Sequence, residues 1–312
     1  MRVLFWGTPE FAIPPLRALV GEGFDVVGVV TQPDKPVGRH RSQLESPPVK
    51  LVALEESIPV LQPEKPRGDE FIAQLRGLDP DISVVVAYGH ILPTSVIDLP
   101  RFGTINIHAS LLPRLRGAAP IQAAIREGHA ETGVTIMRMV KALDAGPLIL
   151  QVATPIPDDE TYGELQLRLA EMGALALIEA LALIDLGEAA ERPQDESLAT
   201  YAAKVDRAMT RVDWTADALT VSRVIRAYDP RPGAYAVART GGGEVKLFGA
   251  KPVAGVRRGE PGEVVAIDDA GMVVACGDGA LRISSVHPAG KRRLAPKQWA
   301  SGRGIALGER LS

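Results

Sequence analysis

The amino-acid sequence predicts an α/β protein in which an open, mostly parallel sheet domain precedes a small OB-like β-barrel. Three observations carry that prediction. Up to Leu186, apolar strand-like runs alternate with stretches whose apolar residues fall at helical spacing, the pattern of successive βα units. From Gly187 to Lys204 the chain turns polar and carries a proline, as a linker does. Beyond it, short strand-like runs follow one another between glycines, as they do in small barrels. The expected divisions are a front domain at 1–187, a linker at 188–205 and a rear domain at 206–312.

The first strand is Val3–Trp6, which ends in Gly7-Thr8-Pro9-Glu10. Thr8 is expected to cap the following helix and Pro9 to take its first position, with Phe11, Leu16 and Leu19 as its apolar residues. Pro14 and Pro15 should make that first turn irregular. Val26–Val30 is the next strand, followed by the proline-punctuated loop Gln32–Pro48 and a helix near Val49–Glu56. Ile82–Ala87 is apolar on both faces, like a central parallel strand. Thr104–His108 and Val134–Met139 read as strands, and Thr161–Leu186 as a long helix. In the rear part a short helix is expected near Thr215–Arg226. Strands should follow over Ala234–Ala238, Val245–Phe248, Gly262–Ile267, Met272–Ala275 and Leu281–Ser285.

Composition narrows the class. With 312 residues, 46% hydrophobic and 23% charged, the chain has material for two cores and is neither collagen-like, disulfide-stapled nor wholly disordered. Cys276 is the sole cysteine, so no internal disulfide and no CxxC zinc pair can form. No apolar run reaches the ~18 residues that span a bilayer. The chain opens on MRVLFWG with no leader-like segment, so a cytoplasmic protein without membrane partners is expected. Charge is divided unevenly: residues 1–205 hold 18 Lys/Arg against 27 Asp/Glu, a net −9, and residues 206–312 hold 17 against 11, a net +6. A basic rear module fits phosphate neutralisation on a nucleic acid, and it equally fits charge spread over solvated faces.

In an open parallel sheet, ligands collect beyond the C-terminal ends of the strands. There, alternation places Ile105 and Ile107 on one face of Thr104–His108, and Thr104, Asn106 and His108 on the other. Such a polar face in a buried sheet needs either internal hydrogen-bond partners or a ligand. Asp144 stands in the turn Ala142–Pro147, where an acid is either a turn-former or, folded over His108, a group that fixes the imidazole tautomer. Other chemistries lack their motifs. None of the five histidines stands in HExxH or another metal spacing, so no metal is expected. GTPEF lacks the second and third glycines of a dinucleotide fingerprint, and there is no GxSxG elbow and no Walker loop.

Asn106-Ile107-His108, then Ser110-Leu111-Leu112-Pro113-Arg114 and Leu143-Asp144-Ala145-Gly146, resemble the signature of the folate-dependent formyltransferases. FWGTPEFA (5–12), VVTQPDKPVGR (29–39), VVVAYGHILP (84–93), RGAAPIQ (116–122) and ETGVTIM (131–137) narrow the likeness to the branch of that family acting on methionyl-tRNA. So do ATYAAK (199–204), VDW (212–214), IRAYDPRPGAY (225–235) and GDGALRI with PAGK (277–291). The resemblance runs from residue 3 to about residue 303. Three departures stand against it: Ala142, Ala145 and Pro147 around Asp144, a lysine-poor stretch at 205–211, and His287 where the family usually has glutamine.

The resemblance implies a Rossmann-like catalytic domain and an OB-like tRNA-binding domain. It implies transfer of formyl from 10-formyltetrahydrofolate to the α-amino group of methionyl initiator tRNA in translation initiation, with no metal. Asn106, His108 and Asp144 are then catalytic, with the amide and imidazole as oxyanion donors and the His108–Asp144 pair moving protons. Ser110, Leu111, Leu112 and Pro113 are expected to help build the folate slot. Lys35, Arg39 and Arg41 are expected to grip the tRNA acceptor end, and Lys291, Arg292 and Arg293 to neutralise tRNA phosphates. A monomer is expected. The alternatives are a formyltransferase acting on a small amine, such as glycinamide ribonucleotide or an amino-sugar nucleotide, and a non-enzymatic RNA-binding protein. The basic rear domain argues against the first, and the intact Asn106, His108 and Asp144 argue against the second.

Overall fold

The computed structural model describes residues 1–37, 43–238, 243–255 and 259–312. The chain forms two compact units, one of residues 1–117, 132–154 and 166–202, the other of 118–131, 155–165 and 203–312. In chain order the elements up to the long helix are β1 (Arg2–Gly7), α1 (Ile13–Gly21), β2 (Asp25–Val30), β3 (Lys35–Val37), β4 (Gln43–Glu45), α2 (Pro48–Glu55), β5 (Val60–Leu61), α3 (Asp69–Leu78) and β6 (Ile82–Val86). There follow α4 (Thr94–Ile97), β7 (Thr104–His108), β8 (Arg116–Gly117), α5 (Pro120–Glu127), β9 (Glu131–Arg138), β10 (Leu148–Pro155) and α6 (Tyr162–Leu186). The remainder is β11 (Tyr201–Ala202), α7 (Ala218–Ala227), β12 (Ala234–Ala238), β13 (Gly243–Val253), β14 (Val264–Asp268), β15 (Gly271–Ala275), β16 (Ala280–Pro288) and α8 (Pro296–Ser301).

The first unit is built on a seven-stranded sheet in the order β10-β9-β7-β6-β1-β2-β5. β5, β2, β1, β6 and β7 are mutually parallel, and β9 joins β7 antiparallel. Every residue of β6 and β7 is buried, the pattern of central strands covered on both faces. On one side α6 buries Leu169, Leu177, Leu181 and Ile184. Gly173 lets it approach β7 closely, since a Cβ there would lie 3.0 Å from Ile107. Trp6, Phe71 and Tyr88 pack edge-to-face within another cluster.

Two local expectations are corrected. Thr8 does not cap the first helix: its hydroxyl donates to the Tyr88 carbonyl at 3.0 Å. A 3-10 turn, Glu10–Ala12, precedes α1 instead, and the prolines fall in the first turn of α1, where no intrahelical N–H is needed. The loop Gln32–Pro48 contains the β3–β4 ribbon. Its flanks lack the apolar alternation that marks a half-buried hairpin, because Gln43–Glu45 is exposed throughout.

The second unit packs α5 and α7 together and carries an antiparallel sheet in the order β12-β13-β16-β15-β14. Asp217 caps α7 by accepting from Thr220 N at 3.0 Å, which delays the helix to Ala218. The last five residues bridge the sheet's two edges: Ser312 exchanges backbone hydrogen bonds with Val237, while Gly308, Glu309 and Leu311 bond to Val264 and Gly262. That closes the sheet into the small barrel expected from the glycine-separated runs. Among the described residues no helix is long and apolar enough to cross a membrane.

Candidate active site

Strand alternation turns Thr104, Asn106 and His108 to one face of β7. Register sets Asn106 beside Val85 of β6 and Met137 of β9, and His108 beside Thr135. Thr104 is satisfied internally, donating to the Ile97 carbonyl at 2.7 Å. Asn106 and His108, 9% and 5% exposed, stand nearer the C-terminal end of the strand.

His108 Nε2 lies 2.9 Å from the Leu115 carbonyl oxygen. A carbonyl only accepts, so Nε2 carries the hydrogen and Nδ1 of the neutral ring is bare. That nitrogen faces Asp144 Oδ2 at 3.8 Å. The gap exceeds a hydrogen bond. Asp144 Oδ2 also accepts from the Gly117 amide at 2.7 Å. The Asp144 backbone is left-handed, with φ of 49°, a conformation aspartate tolerates better than most residues.

The Ser110–Pro113 loop turns its polar groups inward. Ser110 donates to the Arg114 carbonyl at 2.6 Å, and Thr135 donates to the Ser110 carbonyl at 2.6 Å. Leu112 gives its N–H to Thr135 and receives Gln151 on its carbonyl. Leu112 itself packs with Met137 and Leu148.

Behind His108 and Asp144 stand residues that no catalytic motif in the sequence marks. Arg116 is only 2% exposed, and its guanidinium donates to Gln194 Oε1 at 3.0 and 2.7 Å and to both Glu196 oxygens at 2.9 and 2.7 Å. Hydrogen bonding to Glu196 holds Arg116 above its ordinary value, and the Arg116 donors hold Glu196 below its own. Gln194 Nε2 in turn donates to the carbonyls of Asp144 and Gly146, both at 2.8 Å. Thr200 accepts Leu115 N on its hydroxyl and Arg116 N on its carbonyl, each at 2.9 Å. Gly117 allows β11 to lie alongside, since a Cβ there would stand 2.6 Å from the Ala202 oxygen. The available signal was a cluster of glutamine and acids directly after Pro193 in a stretch otherwise read as linker.

Lys35 is exposed on β3, while Arg39 and Arg41 lie outside the described residues. In the second unit Lys291 and Arg292 are exposed. Arg293 is engaged: Nε donates to Ser285 Oγ at 2.7 Å, and the guanidinium sits 4.0 Å over the Phe248 ring. Lys297, which follows that cluster, pairs with Asp269 at 2.6 Å. Burial pushes the Cys276 thiol up to about 12, which leaves it unreactive.

Residues 1–181 match the formyl transferase family and residues 204–304 match the formyl transferase C-terminal domain. The chain is 48% identical over 311 residues to a methionyl-tRNA formyltransferase of Aromatoleum aromaticum, covering 100% of this chain and 97% of that one. It is 47% identical over 311 residues to one of Methylococcus capsulatus, covering 100% and 99%. Among solved structures, HypX from Aquifex aeolicus in complex with tetrahydrofolic acid aligns with a TM-score of 0.68 at 22% identity. That alignment covers 98% of this chain, which spans 48% of the HypX chain. WlaRD, a sugar 3N-formyl transferase, aligns with a TM-score of 0.67 at 17% identity, covering 94% of this chain and 99% of that one. An alignment of that extent takes in the second unit, so possession of such a unit does not by itself separate tRNA from sugar substrates.

Proposed function

The chain belongs to the formyl transferase family, and from that premise we propose that it transfers the formyl group of 10-formyltetrahydrofolate to the α-amino group of methionyl initiator tRNA, as a cytoplasmic monomer serving translation initiation. One observation carries this reading: identity of 47–48% across essentially the whole chain to enzymes bearing that name.

The residues at the end of β7 fit the chemistry. Asn106, His108 and Asp144 offer an amide donor, an imidazole with one bare nitrogen and a carboxylate, the first two buried and Asp144 14% exposed. When bound, the folate supplies the formyl carbon and the departing N10 amine. The Asn106 amide donates to the formyl oxygen as negative charge grows there. The attacking amine must be neutral, and a free α-amino group titrates near 8, so its proton needs an acceptor. His108 Nδ1 and the Asp144 carboxylate are the acceptors of this site, and the proton they take balances the one the departing nitrogen gains. The Leu115 carbonyl fixes the tautomer of the neutral ring and, by keeping the Nε2 hydrogen, its orientation once Nδ1 is protonated.

The test offers the formyl donor with methionyl initiator tRNA, methionyl elongator tRNA, glycinamide ribonucleotide and an amino-sugar nucleotide. Formylation of the initiator alone is expected. Preferential formylation of either small amine overturns the reading.

A further inference from the structure

Residues 192–202 cross the first unit as a strap over the backs of both loops that frame His108 and Asp144. Arg192 exchanges backbone hydrogen bonds with Leu148 at 2.8 and 2.9 Å, just beyond the Asp144 turn. Gln194 holds the carbonyls of Asp144 and Gly146. Glu196 holds Arg116, and Thr200 holds Leu115, whose own carbonyl orients His108. This strap falls between the two stretches that match the formyl transferase domains.

Within it, Gln194 is the junction. Its amide oxygen takes two donors from the buried Arg116 guanidinium, and its NH2 spends both hydrogens on the Asp144 turn. The turn has reason to need holding. Asp144 has a left-handed φ of 49°, a state that persists where its surroundings over-determine it. Gly146 is pressed against β9, where a Cβ would meet the Arg138 oxygen at 1.8 Å. The carboxylate that meets His108 is therefore aimed from a turn with one side packed on β9 and the other tied to Gln194.

We propose that Gln194 is a positioning residue for formyl transfer: by clamping the Asp144 and Gly146 carbonyls to the buried Arg116, it sets the Asp144 carboxylate against His108. The proposal rests on the reading of His108 and Asp144 as the reacting pair. Arg116 supplies the rigid anchor, because four of its donor contacts are already committed to Gln194 and Glu196.

Two variants separate aiming from mere support. Gln194→Glu keeps an acceptor for Arg116 but has no hydrogen to give the two carbonyls, whereas Gln194→Ala removes both functions. Displacing a reacting group by about 1 Å costs on the order of 10²-fold. Both variants should therefore lower kcat about 10- to 100-fold, with KM for folate and for methionyl-tRNA within about twofold of wild type. Gln194→Glu gains an ion pair with Arg116 that offsets part of the two lost hydrogen bonds, so it should stay folded at the assay temperature by its melting curve, which keeps the test valid if Gln194→Ala unfolds. In an Asp144→Asn background neither substitution should cost anything further, because the group being aimed is already gone. An unchanged kcat in Gln194→Glu, or a loss that multiplies with Asp144→Asn, overturns the proposal. A wild-type enzyme that formylates a different amine would refute the substrate reading instead, and the same variants would then be scored on that amine.

Discussion

A neutral imidazole that gives its Nε2 hydrogen to the Leu115 carbonyl has one nitrogen left for chemistry, and in His108 that nitrogen looks at Asp144 from 3.8 Å. If the two act as a unit, His108→Ala and Asp144→Asn should each lower kcat by about 10²–10⁴. Their double variant should be scarcely slower than the worse single, because members of one unit fail together. Steady-state kinetics on all three, with melting curves to exclude unfolding, decides it. A double variant as slow as the product of the singles means independent roles. The strand pattern alone put Asn106 and His108 on one face, since alternation is a local property. That Asp144 closes on His108 depends on the turn beyond β9 folding back beside Gly117, which no spacing in the chain specifies.

At the scale of elements, the barrel of the second unit is completed by the last five residues. Truncation after Leu307 removes five backbone hydrogen bonds with β12 and the β14 region, together with the buried Leu311 side chain. At roughly 1 kcal/mol per hydrogen bond, the variant should lose about 3–5 kcal/mol in urea denaturation, with the loss confined to the transition of that unit. An unchanged midpoint would show the tail to be dispensable. Asp229, following α7, gives a pH test. It is 7% exposed, accepts from Gly249 N at 3.0 Å, and burial pushes its carboxyl above the ordinary 3.8. Across the window from 3.8 up to that raised value, the folded state keeps a proton the unfolded state has lost, so stability falls as pH rises. Asp229→Asn keeps an acceptor for Gly249 and should abolish that fall. Urea midpoints measured from about pH 3.5 to 7 would show the variant gaining on wild type as pH rises, and parallel curves would contradict it. The long helix and the barrel strands were legible because each repeats its own period. The β3–β4 ribbon was not, for a strand as exposed as Gln43–Glu45 leaves no apolar pattern to read.

For the whole molecule, the net +6 of residues 206–312 bears on partner choice. If Lys291 and Arg292 neutralise tRNA phosphates, replacing both by alanine should flatten the log–log salt dependence of initiator-tRNA affinity by about 1.4–1.8, at 0.7–0.9 per contact. Titrations at several salt concentrations read that slope directly, and an unaltered slope assigns the two side chains to ordinary solvated surface. Arg293→Ala has a second consequence, since it strips a cation from the Phe248 ring and a donor from Ser285. By itself the sequence determined the class of each half, its central strands and long helix, and the face of β7 that carries polar groups. These follow from periodicity and residue type, which act over a few neighbours. Only the tertiary structure decided that a polar stretch read as linker straps the site, that Gln194 ties the Asp144 turn to a buried arginine, and that the C-terminal residues close the barrel. Those outcomes rest on hydrogen bonds between residues far apart in the chain, such as Gln194 with Asp144 and Ser312 with Val237, whose partners are chosen by the packed fold and leave no period in the sequence.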